Sequence, residues 1–283
     1  MSVKYYHVDV FSKVPMSGNG LTVVFHDGQQ SDKDLISITK ELNQFESIFL
    51  YPMENGMFQA RIFTVQEELT FAGHPILGAG AVIHKLFYAD DRAIDIPLSL
   101  GERSILIHSE SAGQHFEVKM NQGAATFVST IGSAEHLRIA ESLNLSLDDI
   151  DKNYPIETVS MGLPYLLVPV NKNIEKCRIS RSDFELFLSG FGAKFVYVYD
   201  TSTLHCRTWD NDGAVEDVAT GSAAGPLCAY LVKNGRATQG DTITLHQGSY
   251  VGRSSVIKGC VDSRNEVIIM GDVAFFAMGT IFV

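Results

Sequence analysis

Arg61-Ile62-Phe63-Thr64, then Glu68, then Ala72-Gly73-His74-Pro75 and an apolar run from Ile76 to Ile83, has a second version later in the chain. There it reads Arg207-Thr208-Trp209-Asp210, then Glu216, then Thr220-Gly221-Ser222 and an apolar run from Ala223 to Leu231, at an offset of 146 to 148 residues. A third pair of anchors precedes both, Gly18-Asn19-Gly20-Leu21 with Thr22-Val23-Val24 against Gly162-Leu163-Pro164-Tyr165 with Leu166-Leu167-Val168. Three anchors in one order at a nearly constant offset indicate a duplicated domain, and a period this long means two halves rather than a solenoid. A duplicated pair commonly holds its ligand between the halves, so positions where the halves differ become candidates for chemistry.

The two apolar runs have no polar face, and a helix of that kind must be enclosed. Their small residues, Gly78, Ala79 and Gly80 in the first and Ala223, Ala224 and Gly225 in the second, allow a sheet to approach closely. The expected architecture is therefore α+β, with two pseudo-symmetric barrel-like halves, each a curved sheet around a central buried helix. Small and polar residues between Gln122 and Ser129 weaken any regular pattern, which places the boundary between halves 1–125 and 126–283, with the last strand free to cross back to the first half. Pro75 suits the first position of a helix, which makes His74 its expected N-cap, and Ser222 or Thr220 would cap the second. Other segments predict a first strand within Met1–Val10, a helix from Asp32 to Leu42 behind Ser31, helices at Ala134–Leu143 and Arg181–Leu188, and strands at Ile48–Tyr51, Thr158–Val170 and Phe195–Asp200. Two separate strands are expected at Glu266–Met270 and Ala274–Val283.

At 283 residues and 45% hydrophobic content the chain can build two cores. Its formal charge of -11, from 22 basic against 33 acidic residues with no Lys/Arg cluster, argues against a nucleic-acid surface. No apolar run approaches the roughly 20 residues that span a bilayer. Lys4, His7 and Asp9 interrupt the first ten residues, so they predict a strand rather than a signal peptide, and a cytoplasmic protein is expected. Cys177, Cys206, Cys228 and Cys260 are scattered singly and read as reduced thiols, with no metal site expected.

The N-terminus of a buried helix offers unpaired backbone N–H groups and partial positive charge, which together make an anion site. Two such ends, at Gly73-His74 and Gly221-Ser222, would face each other across a pseudo-twofold cleft and could take a small-molecule carboxylate without basic side chains. The plainer reading is two ordinary helix starts. Glu46 has no acidic counterpart in Gly192-Ala193-Lys194-Phe195 of the second half, so it is a candidate proton carrier, against the plain reading of a solvated surface glutamate. His74 and Asp217 likewise have structural excuses beside helix starts.

Taken together, Gly18-Asn19, Asn43-x-x-Glu46-Ser47-x-Phe49, Arg61-Ile62-Phe63-Thr64-x-x-x-Glu68-Leu69-x-Phe71-Ala72-Gly73-His74-Pro75, Gly162-Leu163-Pro164 and Glu216-Asp217-x-Ala219-Thr220-Gly221-Ser222-Ala223-Ala224-Gly225-Pro226 resemble the PhzF family of phenazine biosynthesis-like proteins. The resemblance implies the diaminopimelate epimerase fold, a homodimer, and an isomerase that needs no cofactor. In the namesake enzyme a glutamate moves a proton on trans-2,3-dihydro-3-hydroxyanthranilate. Glu46 matches that glutamate, His74 and Asp217 match polar partners near the substrate, and Asn19, Gly73, Gly221, Ser222 and Ala223 are the expected substrate-binding positions. Prolines usual in the family motifs are replaced by Gly20, Val65, Thr70 and Val218, which touches loop stiffness rather than the proton-bearing groups.

This reading makes Glu46 the general base, with burial expected to raise its pKa from about 4.3 toward the working pH. His74 and Asp217 would polarise the substrate, and helix-start amides would stabilise anionic charge. One alternative is a non-catalytic small-molecule binder of the same fold. Another is a racemase or epimerase with two opposed thiols, whose positions Gly73-His74 and Gly221-Ser222 occupy here.

Overall fold

The computed structural model describes residues 2–26, 28, 30–53 and 56–282; Met1 and Val283, the outer ends of the predicted first and last strands, lie outside them. In chain order the elements are β1 (Ser2–Val10), β2 (Asn19–Phe25), α1 (Asp32–Leu42), β3 (Glu46–Pro52), β4 (Phe58–Thr64), β5 (Glu68–Leu69), α2 (Gly73–Phe87), β6 (Ala93–Leu100), β7 (Arg103–Ala112) and β8 (His115–Ala124). They continue as β9 (Thr126–Thr130), α3 (His136–Ser142), β10 (Glu157–Ser160), β11 (Pro164–Val170), α4 (Phe184–Ser189), β12 (Phe195–Asp200), β13 (His205–Arg207), α5 (Gly221–Lys233), β14 (Ile243–Gln247), β15 (Ser255–Val261) and β16 (Glu266–Phe282). The chain forms two compact units, Met1–Asn121 with Met270–Val283, and Gln122–Ile269.

In the first unit the strands run β1-β2-β3-β4-β6-β7-β8-β16, and β16 also pairs with β1, which closes an eight-stranded barrel with β5 added beside β4. The closing pair runs from Ser2↔Phe282 to Val10↔Val273 with a bulge between His7 and Val8. Closure leaves the ring no unpaired edge. The apolar run predicted from sequence is α2, which packs against β1, β2, β3, β6 and β7. Gly73 to His84 are all buried. A side chain at position 78 would meet Leu21, Val10 and Val8, and one at position 80 would meet Ile107 and Val118, so glycine there sets how near the strands lie.

α1 forms because its ends are satisfied locally. Ser31 and Asp34 make a reciprocal capping box, Asn43 closes the far end with φ 50°, and Leu35 and Ile38 are buried.

The second unit carries β9-β10-β11-β12-β13-β14-β15 and the start of β16 in that order. Its pairing senses repeat those of the first unit. β1–β2 is antiparallel, β2–β3 parallel, β3–β4 antiparallel, β4–β6 parallel and β6–β7 antiparallel. β10–β11, β11–β12, β12–β13, β13–β14 and β14–β15 follow the same alternation. α5 packs against β10, β11 and β15. A separate apolar cluster, including Ile139, Leu143, Phe184, Leu188, Val196, Val198 and Trp209, holds α3 and α4 to this sheet.

Several boundaries differ from the sequence expectation. Thr158–Val170 is two strands, β10 and β11, because Gly162 turns at φ 113° and folds Ser160 against Pro164. The two strands expected from Glu266 onward are one, since Asp272 accepts Ser12 N–H at 3.1 Å and Val273 pairs with Val10, which keeps the linking residues extended. β9 went unpredicted because its residues are almost all exposed and carry no apolar alternation. The helix expected from Ala134 begins as a 3-10 turn at Ser133–Glu135, and the one expected from Arg181 starts at Phe184.

Candidate active site

Glu46 opens β3 three positions after Asn43, the left-handed cap of α1, and pairs with Thr64 of β4. The local polarity is inverted: Phe45 is 49% exposed while Glu46 is 8% exposed. Burying a carboxylate beside an exposed aromatic ring works against stability, a violation expected of a functional position.

His74 lies beside it, but not as the predicted N-cap. Ala72 takes that position without a side-chain bond, and α2 begins at Gly73. His74 is then the second residue and Pro75 the third, where a missing N–H costs nothing because first-turn amides have no partner within the helix. Without a capping role, the imidazole brings Nδ1 to 3.5 Å from Glu46 Oε2. Burial holds its pKa down at about 3, so the ring is neutral at ordinary pH and the contact is dipole to carboxylate rather than an ion pair. His74 Nε2 is also buried and has no hydrogen-bond partner among the described residues. A buried polar atom in that state marks strain or a place for a ligand group.

The depressed His74 pKa fixes a sign. Unfolded histidine takes its proton near 6.5 and the folded residue only near 3, so its contribution is intact above about 6.5 and is lost as pH falls toward 3. Each pH unit in that window removes up to about 1.4 kcal/mol. Denaturant unfolding at pH 7 and pH 5 is expected to show a steeper acid loss in the wild type than in His74→Asn; equal slopes would contradict the neutral imidazole.

Two other predicted positions share this unit. Asn19 is buried at the start of β2, opposite Val10. Gly18 before it turns at φ 72° so close to Val10 and Ser12 that a side chain has no room. Gly73 is buried at the first position of α2.

In the second unit the segment before α5 is held at both ends. Arg207 on β13 grips Glu216 in a two-pronged pair, Nε to Oε1 at 2.8 Å and Nη2 to Oε2 at 2.6 Å, and its Nη1 donates to the carbonyls of Ile174, Glu175 and Cys177. Asp217 follows, its N–H donating to Thr208 O at 3.0 Å. Thr220 stands at the N-cap position as one of the two expected residues, yet its hydroxyl donates to Asp217 Oδ2 at 2.5 Å rather than capping the helix. Ser222 Oγ and Tyr165 OH lie 2.8 Å apart. Ala223 is fully buried and its N–H is spent on Thr220 O, which leaves it as wall rather than donor. Gly221 is buried at the first position of α5 and its carbonyl accepts from Gln122 Nε2 at 3.3 Å.

Thus Glu46 meets His74 in one unit, and Asp217 meets Thr220 beside Gly221 and Ser222 in the other. Gln247, which bonds both Asp217 and Thr220, was not legible in the sequence: a lone glutamine at a strand end has no local signature. The Arg–Glu clamp left a trace, because Arg61 and Glu68 recur as Arg207 and Glu216, and the first pair has the same two-pronged geometry.

Burial pushes the Cys177 and Cys206 thiols up to about 12 and raises Cys228 further, so these three are poor nucleophiles. His115, Glu117 and Asp272 bring one potential cation-ligating atom each within 4.8 Å of one another. His115 Nε2 lies 3.2 Å from Asp272 Oδ1. Among the described residues no helix is long and apolar enough to cross a membrane.

The sequence matches, over residues 8–279, the PhzC-PhzF family described as phenazine biosynthesis-like protein. A trans-2,3-dihydro-3-hydroxyanthranilate isomerase of Pseudomonas fluorescens is 29% identical over 288 residues, covering 98% of either chain. The solved structure of a predicted epimerase from Pseudomonas aeruginosa superposes with a TM-score of 0.92 at 42% identity, covering 99% of both chains. A hydroxyproline epimerase of Agrobacterium vitis shares the fold with a TM-score of 0.62 at 10% identity, covering 99% of this chain and 92% of its own.

Proposed function

The chain belongs to the PhzC-PhzF family of phenazine biosynthesis-like proteins, and as an isomerase of that family, we propose, it moves a proton within a small cyclic or amino-acid-derived carboxylate by means of Glu46. The observation that carries this reading is the buried carboxylate set against a neutral imidazole with an unsatisfied nitrogen. Glu46 takes a proton from one carbon, the C–H electron pair enters the substrate's conjugated system, and the protonated carboxyl returns the proton to another carbon. Atoms and charge balance without a cofactor. His74 serves as a neutral polar partner, since a charged imidazolium would tie up the base in an ion pair. Asp217 is a further polar partner in this reading. The helix-start amides of Gly73, Gly221 and Ser222 are the candidate donors to a substrate carboxylate, as helix starts are for anions, and Asn19 is a candidate buried amide.

The matching series of pairing senses supports a further part of this reading, that both units descend from one ancestral half built around a central helix, α2 or α5. A homodimer belongs to the same reading.

Incubation with trans-2,3-dihydro-3-hydroxyanthranilate, and with a panel of cyclic carboxylates, in heavy water tests it. The expected result by NMR is a rearranged double bond, with solvent deuterium gained at carbon wherever the carboxyl proton exchanges before return. Binding of such compounds with neither isomerisation nor carbon–hydrogen exchange would favour the non-catalytic binder instead.

A further inference from the structure

We propose that Gln247 is a positioning residue that, through Thr220, fixes the direction in which the Asp217 carboxylate presents itself. The inference rests on the reading of Asp217 as a substrate partner and deepens it.

Gln247 ends β14 and is 1% exposed. Its amide makes four hydrogen bonds, as many as the group has strong sites for. Oε1 accepts from Tyr197 OH at 2.9 Å and from the backbone N–H of Thr220 at 3.1 Å. Nε2 donates to the backbone carbonyl of Asp217 and to Thr220 Oγ1, each at 2.9 Å. The amide therefore bridges the two ends of the segment Asp217-Val218-Ala219-Thr220.

The order of donors leaves one solution. Thr220 N–H can only donate and Asp217 C=O can only accept, so the amide cannot be turned over without losing both bonds. Thr220 Oγ1 already accepts from Nε2, which sends its own proton to Asp217 Oδ2, at 2.5 Å. Asp217 Oδ2 is thereby committed as an acceptor and anchored at the Thr220 hydroxyl before any substrate arrives. Burial pushes the Tyr197 phenol well above its usual range, which keeps its O–H a donor to Oε1. Preset orientation of this kind is what a catalytic group needs, since a displacement of about 1 Å can cost on the order of 10²-fold in rate.

The test uses the full chain with Gln247→Leu, Gln247→Glu, Thr220→Val, Thr220→Ser and Asp217→Asn. Turnover is measured on trans-2,3-dihydro-3-hydroxyanthranilate, and backbone amide exchange is followed across residues 217–221. Gln247→Leu and Thr220→Val are expected to lower kcat by on the order of 10²-fold with KM little changed. Thr220→Ser, which keeps the hydroxyl, restores most of it. Gln247→Glu has the same shape but cannot donate when ionised, and should be as impaired as Gln247→Leu. Exchange at the Thr220 amide accelerates in Gln247→Leu, which removes the oxygen that accepts it, a readout that needs no substrate. Unchanged exchange there, or full activity in Thr220→Val beside an impaired Asp217→Asn, overturns the proposal. An Asp217→Asn enzyme as active as the wild type strikes the underlying reading, and the positioning role falls with it.

Discussion

Glu46→Gln is expected to reduce turnover by about 10²- to 10⁴-fold, the usual contribution of a general acid–base group, while leaving the fold intact. Glutamine has nearly the shape of glutamate, so the packing of β3 against α2 need not change. It also removes a charge that is 8% exposed and stands beside a neutral imidazole, so stability to denaturant should hold or rise slightly. Substrate binding should survive, because the helix-start amides proposed to take its carboxylate are untouched. The informative measurements are kcat and KM for the rearrangement of trans-2,3-dihydro-3-hydroxyanthranilate, together with carbon-bound deuterium. A variant that still isomerises at the wild-type rate removes Glu46 from the mechanism, whatever its stability. Glu46→Asp separates charge from reach: the acid is kept but drawn back by a methylene, and turnover should again fall.

The largest expected effect on stability comes from Arg207. Arg207→Met should cost about 3–5 kcal/mol, the range for removing one partner of a buried ion pair. The side chains of Arg207 and Glu216 are each 8% exposed, so the loss leaves Glu216 buried and unpaired and takes a donor from the carbonyls of Ile174, Glu175 and Cys177. Its counterpart provides an internal control. Arg61 is 23% exposed and Glu68 42%, with Asp32 more open still, so water screens that network and Arg61→Met should cost only about 0–1 kcal/mol. Denaturant unfolding of both variants gives the comparison, and equal losses would show that burial does not set the difference. Arg207→Met combined with Glu216→Leu should recover much of the stability, because most of the single-variant penalty is the stranded charge.

This contrast shows what a sequence can and cannot carry. The recurrence of Arg61 and Glu68 as Arg207 and Glu216 was visible, because the same β-strand and the same clamp are built twice. That one clamp is buried and the other wet depends on packing from distant parts of the chain. α1 was readable from Ser31, whose capping bonds are local. β9 was not, since its exposed residues show no alternation. Among candidate residues, Glu46 stood out only through its missing counterpart in the second half and through family resemblance; that Phe45 turns outward and Glu46 inward is a tertiary outcome. His74 was noticed for the wrong local reason, because Gly73 takes a helical conformation and moves the cap back to Ala72. Gln247 lies 27 residues beyond Thr220 and 50 beyond Tyr197, so no local pattern could announce its four bonds.

The seam between β1 and β16 has a consequence for how the protein is made. Residues 2–10 find their partners at 273–282, so during synthesis the first strand leaves the ribosome long before the strand that will cover it. Until then β1 keeps an open edge, and its residues are available to other nascent chains. Maturation of this barrel is thus set by the arrival of its last dozen residues, and a chain stalled short of Met270 should be captured by chaperones or should aggregate through that edge.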